Sequence, residues 1–305
     1  MSELSPMTGH SQMASAISDR AFTRIVSIAA REAGIVLAES KVSMVKSRLS
    51  RRLRTLDIPS FDAYLDFLEA TNDKQEMENF ISALTTNVSH FFREHHHFDY
   101  LRTHILPHLR KKLAAGGKAR IWSAGCSNGQ EPYSIAMTIL KEAPDLAKMD
   151  FKILATDIDP EVLVRAKSAQ YFGSLTTGLT DATIKAFCTA SEQQAETALI
   201  LKPEVRNMVA FRQLNLHAEW PMKGKFDAIF CRNVVIYFDE EAQSQLFRRF
   251  AAILEPGGWL MLGHSERLSE STTPLFVNTG VTTYQTIQNT QFLSPGETQV
   301  KEGTV

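Results

Sequence analysis

The stretch ARIWSAGCSNGQE, residues 119–131, joins a short apolar run to a glycine-containing loop and then to the start of a helix. Gly125 and Gly129 permit a tight turn and let the backbone approach a ligand closely. The first amide groups of the following helix point at the loop and suit a carboxylate or a phosphate. The glycine pair alone is weak evidence, because an ordinary turn between strand and helix also needs flexible backbone.

Further apolar runs follow this stretch, at residues 151–159, 209–216, 226–238 and 258–264. Helical segments lie between most of them. Pro132 and Pro160 each open one helix, since proline is favoured in the first turn, and Asp239 can cap another. This alternation predicts an α/β fold with a doubly wound, mostly parallel sheet covered by helices on both faces. A final hairpin is expected at the sheet edge, at about 274–287.

The N-terminal third of the chain shows helical periodicity and no strand pattern. Ser18 or Asp19 can cap a first helix, which Gly34 ends. Ser60 can cap a later helix whose apolar residues recur at positions i, i+3, i+4 and i+7. Several short amphipathic helices in a row predict a small all-α domain.

The chain has 305 residues, a length typical of about two domains, and 44% of its residues are hydrophobic, which excludes a mostly disordered chain. The predicted division is a helical domain over 17–92, a larger domain over 93–288 with a β insertion at about 187–210, and a flexible tail over 289–305.

Charge and cysteine content narrow the class of protein. The net charge is −1, from 33 basic and 34 acidic side chains, and argues against a protein that coats nucleic acid. Three scattered cysteines do not make a disulfide framework. The N-terminus lacks the apolar core of a signal peptide, and no apolar stretch is long enough to span a bilayer. We therefore expect a cytoplasmic protein, monomeric and without membrane insertion.

The motif ATDID, residues 155–159, follows the second predicted strand. An acidic residue at that place can accept hydrogen bonds from both ribose hydroxyls of a nucleoside, and Asp157 occupies it. Asp159 is expected to cap the next helix, and both acids could be caps. Together with the glycine loop, Asp157 predicts a nucleoside-containing cofactor without choosing between NAD and S-adenosylmethionine. An NAD dehydrogenase would fit the fold but not the glycine spacing.

Five segments, in this order and spacing, resemble the CheR family, the chemotaxis receptor glutamate O-methyltransferases. They are TNVSHFFRE (86–94), WSAGCSNGQEPYSIA (122–136), ATDIDPEVL (155–163), CRNVVIYFD (231–239) and LEPGGWLMLGHSE (254–266). The resemblance runs from about residue 17 to 288. It implies a Rossmann-like methyltransferase sheet that uses S-adenosylmethionine, with a helical N-terminal domain and a small β insertion.

The resemblance also implies the site. Residues expected to contact the cofactor are Asn87, Ser89, Arg93, Gly125, Glu131, Asp157, Asn215, Leu216, Arg232 and Asn233. Arg93 is expected to orient the incoming carboxylate, and Tyr237 to lie beside the reacting methyl. Two alternatives remain open: Arg93 could be a surface ion-pair partner of Glu94 or Asp99, and Tyr237 could belong to the core.

The implied reaction needs no general base and no metal. An ordinary glutamate has a pKa near 4.3 and is ionised at neutral pH, so it can attack the methyl group directly, giving a methyl ester and S-adenosylhomocysteine. Several histidines could suggest a metal site, but adjacent histidines on a helix point in different directions and do not converge on one ion. No metal is therefore expected from the residues His90, His95, His96, His97, His104 and His108.

Residues 41–56, KVSMVKSRLSRRLRTL, concentrate positive charge without any acid. Such runs are usually solvated helix faces, but a glutamate-rich receptor methylation region would be a complementary partner. The expected docking residues are Lys46, Arg48, Arg51, Arg52 and Arg54. Nucleic acid is a weaker alternative, because aromatic residues do not interleave with the basic ones.

In some family members the insertion docks a C-terminal receptor pentapeptide through a loop that contains glycine. Residues 187–205 contain no glycine, so pentapeptide tethering is doubtful here. Two other functions stay open from the sequence: a methyltransferase acting on a small molecule or nucleic acid, and a module that binds the cofactor or the receptor without turnover. Intact Arg93, Asp157, Arg232 and Tyr237 argue against the second.

Overall fold

The computed structural model describes residues 17–193 and 196–287. The predictions for the first residues and for the 289–305 tail lie outside this part of the chain. The first helix, α1, spans Asp19–Ala33. The Ser18 hydroxyl accepts the Ala21 amide, and Gly34, with φ 68°, ends the helix in the left-handed conformation. The predicted cap and stop are confirmed.

Three further helices complete the helical domain: α2 Val42–Thr55, α3 Phe61–Thr71 and α4 Lys74–Leu84. Ser60 caps α3 as predicted, because its hydroxyl accepts the Ala63 amide. Apolar faces of the four helices close a core of their own, which includes Ile25, Leu49, Leu65 and Phe80. Helices this short depend on such packing for their stability.

Two arginines of α2 bond inside the helical domain. Arg52 pairs with the carboxylate of Glu76, which is only 3% exposed and also accepts the Tyr64 hydroxyl at 2.7 Å. Arg48 donates to the carbonyl oxygen of Thr85 at 2.5 Å. The guanidinium groups of both arginines hold α2 to its neighbours, and the expectation that they dock a receptor stays a prediction.

The larger domain begins with α5 (His96–Tyr100), a π-helical turn (Leu101–Ile105) and α6 (Leu106–Ala114). Its remaining helices are α7 Gln130–Glu142, α8 Pro160–Ser168, α9 Asp181–Phe187, α10 Pro203–Arg206 and α11 Glu240–Ile253. Asp239 caps α11 as predicted, and Pro160 opens α8. Helix α7 starts two residues before Pro132, which lies within its first turn.

The strands are β1 Ala119–Ala124, β2 Phe151–Asp157, β3 Gln170–Tyr171, β4 Cys188–Gln193, β5 Glu196–Leu201, β6 Val209–Gln213, β7 Phe226–Cys231, β8 Leu254–Leu262, β9 Phe276–Gly280 and β10 Thr283–Thr286. Seven form the main sheet in the order β6-β2-β1-β7-β8-β10-β9. The first five of these are parallel, and the β9–β10 hairpin closes one edge antiparallel, as predicted. All six residues of β7 are buried, as expected for a central strand.

Two apolar runs end as strands earlier than their sequence suggests. The run 226–238 forms β7 only to Cys231, because Asn233 has φ 60° and the chain turns there. The run 209–216 forms β6 only to Gln213. In both cases the remaining residues continue past the strand as loop, at the same edge of the sheet.

The insertion is a separate antiparallel sheet in the order β3-β5-β4. It begins with Gln170 and so extends beyond the predicted range of about 187–210, whose last two residues belong to β6 in the main sheet. The signal was weak, because β3 has only two residues. Among the described residues, no helix has both the length and the apolar character to cross a membrane.

Candidate active site

A cleft lies where β1, β2, β6 and β7 end at their carboxyl edge. Open parallel sheets bind ligands at this edge, where the strand order reverses. Its walls come from the helical domain, the segment 85–93 and the loops after the four strands. All of the predicted site residues line it, namely Asn87, Ser89, Arg93, Gly125, Glu131, Asp157, Asn215, Leu216, Arg232, Asn233 and Tyr237.

The glycine loop after β1 is held tightly against its neighbours. Gly125 has φ 82°, and its amide donates to the Thr156 carbonyl at 2.8 Å. A Cβ at this position would lie only 2.3 Å from a methyl carbon of Val234. Position 125 therefore needs glycine for both its backbone conformation and its close approach to the loop after β7.

The Asp157 carboxylate lies at the end of β2 and is only 7% exposed. One oxygen accepts the Ser127 amide at 2.7 Å and the other accepts the Asp159 amide at 3.0 Å. Burial raises the pKa of Asp157 to about 6, although these backbone bonds oppose the shift. Asp159 caps α8, as predicted, through a bond from the Glu161 amide at 2.8 Å.

The segment 85–93 covers the cleft from the side of the helical domain. The side-chain amide of Asn87 donates to the Asp159 carboxylate at 2.7 Å. The backbone carbonyl oxygen of Asn87 accepts the Ser127 hydroxyl at 3.1 Å. Arg48 of α2 holds the start of the segment at Thr85. The cover is thus bonded on one side to the loops of the sheet and on the other to the helical domain.

A buried guanidinium stands at the centre of the site. Arg232 donates to Glu131 at 3.1 Å, lies 3.3 Å from a carboxylate oxygen of Glu94, and also donates to the Arg93 carbonyl. Burial raises the pKa of Glu131, and the opposing effect of Arg232 only partly offsets this increase. For Glu94 burial acts in the same direction, but Arg232 and His264 outweigh it and lower the pKa to about 2.

This cluster has unused bonding capacity. One oxygen of Glu94 and the Nε of Arg232 are buried without a hydrogen-bond partner of good geometry among the described residues. Two carboxylates share one guanidinium, so the cluster carries an excess negative charge when both are ionised. Such a site suits a ligand with a positive charge and further hydrogen-bonding groups.

Sequence reasoning assigned no role to Glu266, although its motif was noted. The Glu266 carboxylate is 3% exposed and accepts backbone amides of Gly263, Asn233, Val234 and Ile236 at 2.5 to 3.3 Å. These bonds hold the turn after β7, where Asn233 is left-handed. An acidic residue four positions beyond the buried strand β8 was the available signal for Glu266.

Arg93 and Tyr237 both face the cleft. The Arg93 guanidinium donates to the Val88 carbonyl at 3.2 Å, while Glu94 pairs with Arg232 and Asp99 with His95 and Arg102. Within the part of the chain that the structure describes, Arg93 therefore forms no ion pair with Glu94 or Asp99. Tyr237 is half-buried and lines the cleft, so it is not a core residue.

The helical domain reaches the side of the cleft that is lined by Asn215 and Leu216. The Asn215 side-chain amide donates to the backbone carbonyl oxygen of Glu32, the penultimate residue of α1, at 2.7 Å. Its side-chain oxygen accepts the His217 amide, so the amide group of Asn215 is bonded within the protein. Leu216 is buried beside it and lines the cleft.

Three groups near Arg232 could hold a metal ion. Ligand atoms of Glu94, His96 and His97 lie within 4.8 Å of one another. Burial lowers the pKa of His97 to about 3, so this ring is neutral. The guanidinium of Arg232 already lies 3.3 Å from the same Glu94 oxygen and would repel a cation there. The expectation of no metal stays a prediction.

The fold and the cleft define a class: a Rossmann-like methyltransferase of the kind that binds S-adenosylmethionine. The model "CheR methyltransferase, SAM binding domain" matches residues 87–285, and "CheR methyltransferase, all-alpha domain" matches residues 20–85. The chain belongs to the CheR methyltransferase family. The sequence-based predictions of this family, of its fold and of an S-adenosylmethionine-dependent protein-glutamate methyltransferase are confirmed.

Relatives match most of the chain. The "Probable chemotaxis protein methyltransferase" of Rhizobium etli is 46% identical over 83% of this chain and 95% of its own length. The "Chemotaxis protein methyltransferase" of Escherichia coli is 43% identical over 83% of this chain and 86% of its own length. The "Chemotaxis protein methyltransferase 2" of Pseudomonas aeruginosa is 43% identical over 77% and 82%, respectively.

The contact at Gly125 yields a testable expectation. Gly125→Ala should weaken S-adenosylmethionine binding at least about tenfold, because the new methyl must push Val234 and the loop after β7 out of place. Isothermal titration calorimetry measures the affinity. The matched control is Gly116→Ala, which shares the left-handed backbone, with φ 80°, but meets no atom within 4 Å. Equal affinities in both variants would contradict the steric explanation.

Proposed function

We propose that this enzyme methylates the γ-carboxylates of specific glutamates in the cytoplasmic methylation region of chemoreceptors, giving methyl esters and S-adenosylhomocysteine during adaptation in chemotaxis. The observation that carries the proposal is the convergence of all the expected site residues on one cleft. The names of the relatives support the pathway. Because the proposed substrate is the cytoplasmic region of a receptor, the proposal includes a cytoplasmic location.

The charges around Arg232 fit the cofactor. S-adenosylmethionine supplies a methyl group on a positively charged sulfonium, next to an amino-acid end. Glu131 and Glu94 share one guanidinium, and the resulting excess negative charge would favour a cationic ligand. We assign Glu131 to the methionine end, and Asp157 to the ribose hydroxyls, because its carboxylate faces the cleft at the end of β2. Leu214 and Leu216 offer an apolar wall for the base.

Arg93 and Tyr237 are assigned to the reacting end. A glutamate is already ionised at neutral pH, so the protein has to orient its carboxylate rather than remove a proton. Arg93 makes a single bond to a backbone carbonyl, which leaves other guanidinium donors for the carboxylate. The Tyr237 hydroxyl can donate to its second oxygen. Phe98 and Ile35 help to keep water away, which strengthens both contacts.

Substitutions at these two residues test the assignment. Arg93→Ala should lower kcat about 100-fold or more, and Tyr237→Phe about 10-fold, because each removes a group that orients the carboxylate. Methyl transfer is followed as base-labile label on a receptor fragment, and calorimetry monitors cofactor affinity. Arg248→Ala, at an exposed position of α11 outside the cleft, is the control. Full activity in both test variants would remove their proposed roles.

The raised pKa of Asp157 predicts how cofactor affinity depends on pH. Ribose hydroxyls donate to the ionised carboxylate, so binding needs the deprotonated form. Affinity should be nearly constant above pH 7 and fall as the pH drops through about 6, approaching a tenfold loss per unit below that point. Calorimetry from pH 5 to 8 measures it. In Asp157→Asn this dependence should be lost, and an unchanged pH profile in that variant would contradict the assignment.

The basic face available to a receptor is smaller than the sequence suggests. Arg51 and Arg54 are exposed on α2, and Lys46 is half-exposed, whereas Arg48 and Arg52 bond within the protein. We propose that Lys46, Arg51 and Arg54 attract the acidic methylation region. Pentapeptide tethering through the insertion is not part of this proposal.

Reversing the exposed charges tests this surface. The double variant Arg51→Glu/Arg54→Glu should raise the KM for the receptor fragment about tenfold at low salt, with unchanged cofactor affinity, because like charges now repel. Lys111→Glu/Lys118→Glu makes the same change of net charge at exposed sites on and after α6, and it should have little effect. An equal rise in KM for both pairs would show that overall charge, rather than α2, attracts the receptor.

A further inference from the structure

Three large aliphatic side chains stand exposed beside the proposed catalytic residues. Val36 is 50% exposed, Val88 is 74% exposed and Ile236 is 50% exposed. They come from three separate segments: the turn after α1, the cover segment and the loop after β7. Single exposed aliphatic residues are ordinary, but a group of them from distant parts of the chain around one opening is typical of an interaction surface.

Backbone hydrogen bonds tie these side chains to the reacting end of the cleft. The Val88 carbonyl accepts the Arg93 guanidinium at 3.2 Å, and the Val36 amide donates to the Tyr237 carbonyl at 2.8 Å. Ile236 precedes Tyr237, and its own amide is held by Glu266 at 3.3 Å. Val88 itself lines the cleft, and Val36 and Ile236 are next in sequence to the lining residues Ile35 and Tyr237. All three side chains therefore belong to segments beside the place where a carboxylate would enter.

We infer that Val36, Val88 and Ile236, here called the aliphatic rim, form a docking surface for the apolar face of the substrate helix around the accepting glutamate. This inference rests on the proposed function. A glutamate side chain is short, so its helix must lie against the opening when the carboxylate reaches the methyl group. Residues three and four positions away share that helix face and meet the rim.

The rim specifies the chemistry of the partner. Burying aliphatic surface against charged side chains is unfavourable, so the glutamate that is methylated should have small or aliphatic neighbours one turn away on either side. The exposed arginines of α2 attract acidic segments in general. The rim then distinguishes which glutamate of an acidic helix enters, which charge attraction alone does not do.

Kinetics with a receptor fragment test the inference. Val36→Ser, Val88→Ser and Ile236→Ser should each raise the KM for the fragment about 3- to 10-fold, with kcat and cofactor affinity close to those of the wild type. The controls Val164→Ser and Val277→Ser change valines that are 68% and 54% exposed on α8 and β9, away from the cleft. They should leave the KM unchanged.

The increase in KM should persist at high salt, because no charge is altered. An unchanged KM in all three rim variants, an equal increase in the controls, or a loss confined to kcat would each overturn the inference. Failure of the wild-type enzyme to methylate any receptor fragment would overturn the proposed function, and the inference with it. Normal methylation with an unchanged KM in the rim variants overturns the rim alone.

Discussion

The site depends on one buried guanidinium shared by two carboxylates. Arg232 follows β7, Glu131 lies in the first turn of α7, and Glu94 comes directly after the segment 85–93 that covers the cleft. Removing the guanidinium would leave two buried carboxylates facing each other, which is strongly destabilising. The pairing therefore joins sheet, helix and cover at a single point. The charge that remains unbalanced is the property that a cationic cofactor can use.

Around this centre the backbone is constrained by two contacts of different kinds. Gly125 allows the loop after β1 to pass directly against Val234, and Glu266 fixes the loop after β7 by accepting several of its amides. One contact needs the absence of a side chain, and the other needs a buried charge. Both act on the same loop, which carries Tyr237. Precise placement of that residue thus depends on groups that do not themselves need to touch a substrate.

Most members of the cleft were implied by the resemblance to the CheR family, and only the glycine loop and Asp157 were indicated by their own chemistry. The fold was predicted well from the sequence, because it rests on patterns that local chemistry determines. Caps at Ser18, Ser60 and Asp239 and the alternation of strands and helices are local signals. Which charged side chains pair with one another inside the protein was not predictable in the same way. Arg52 belongs to a run of basic residues, but its partner Glu76 lies 24 residues away. Only the packed structure shows that the two share one buried pocket.

Two hydrogen bonds between the helical domain and the sheet domain use main-chain atoms of the helical domain. The Val36 amide meets the Tyr237 carbonyl, and Asn215 meets the carbonyl of Glu32. Main-chain groups persist when side chains are substituted, so positions 32 and 36 can vary in evolution while the domains stay in register. The Val36 side chain is half exposed, so it can change along with the receptors that the enzyme meets, without any loss of the alignment that holds the cleft together.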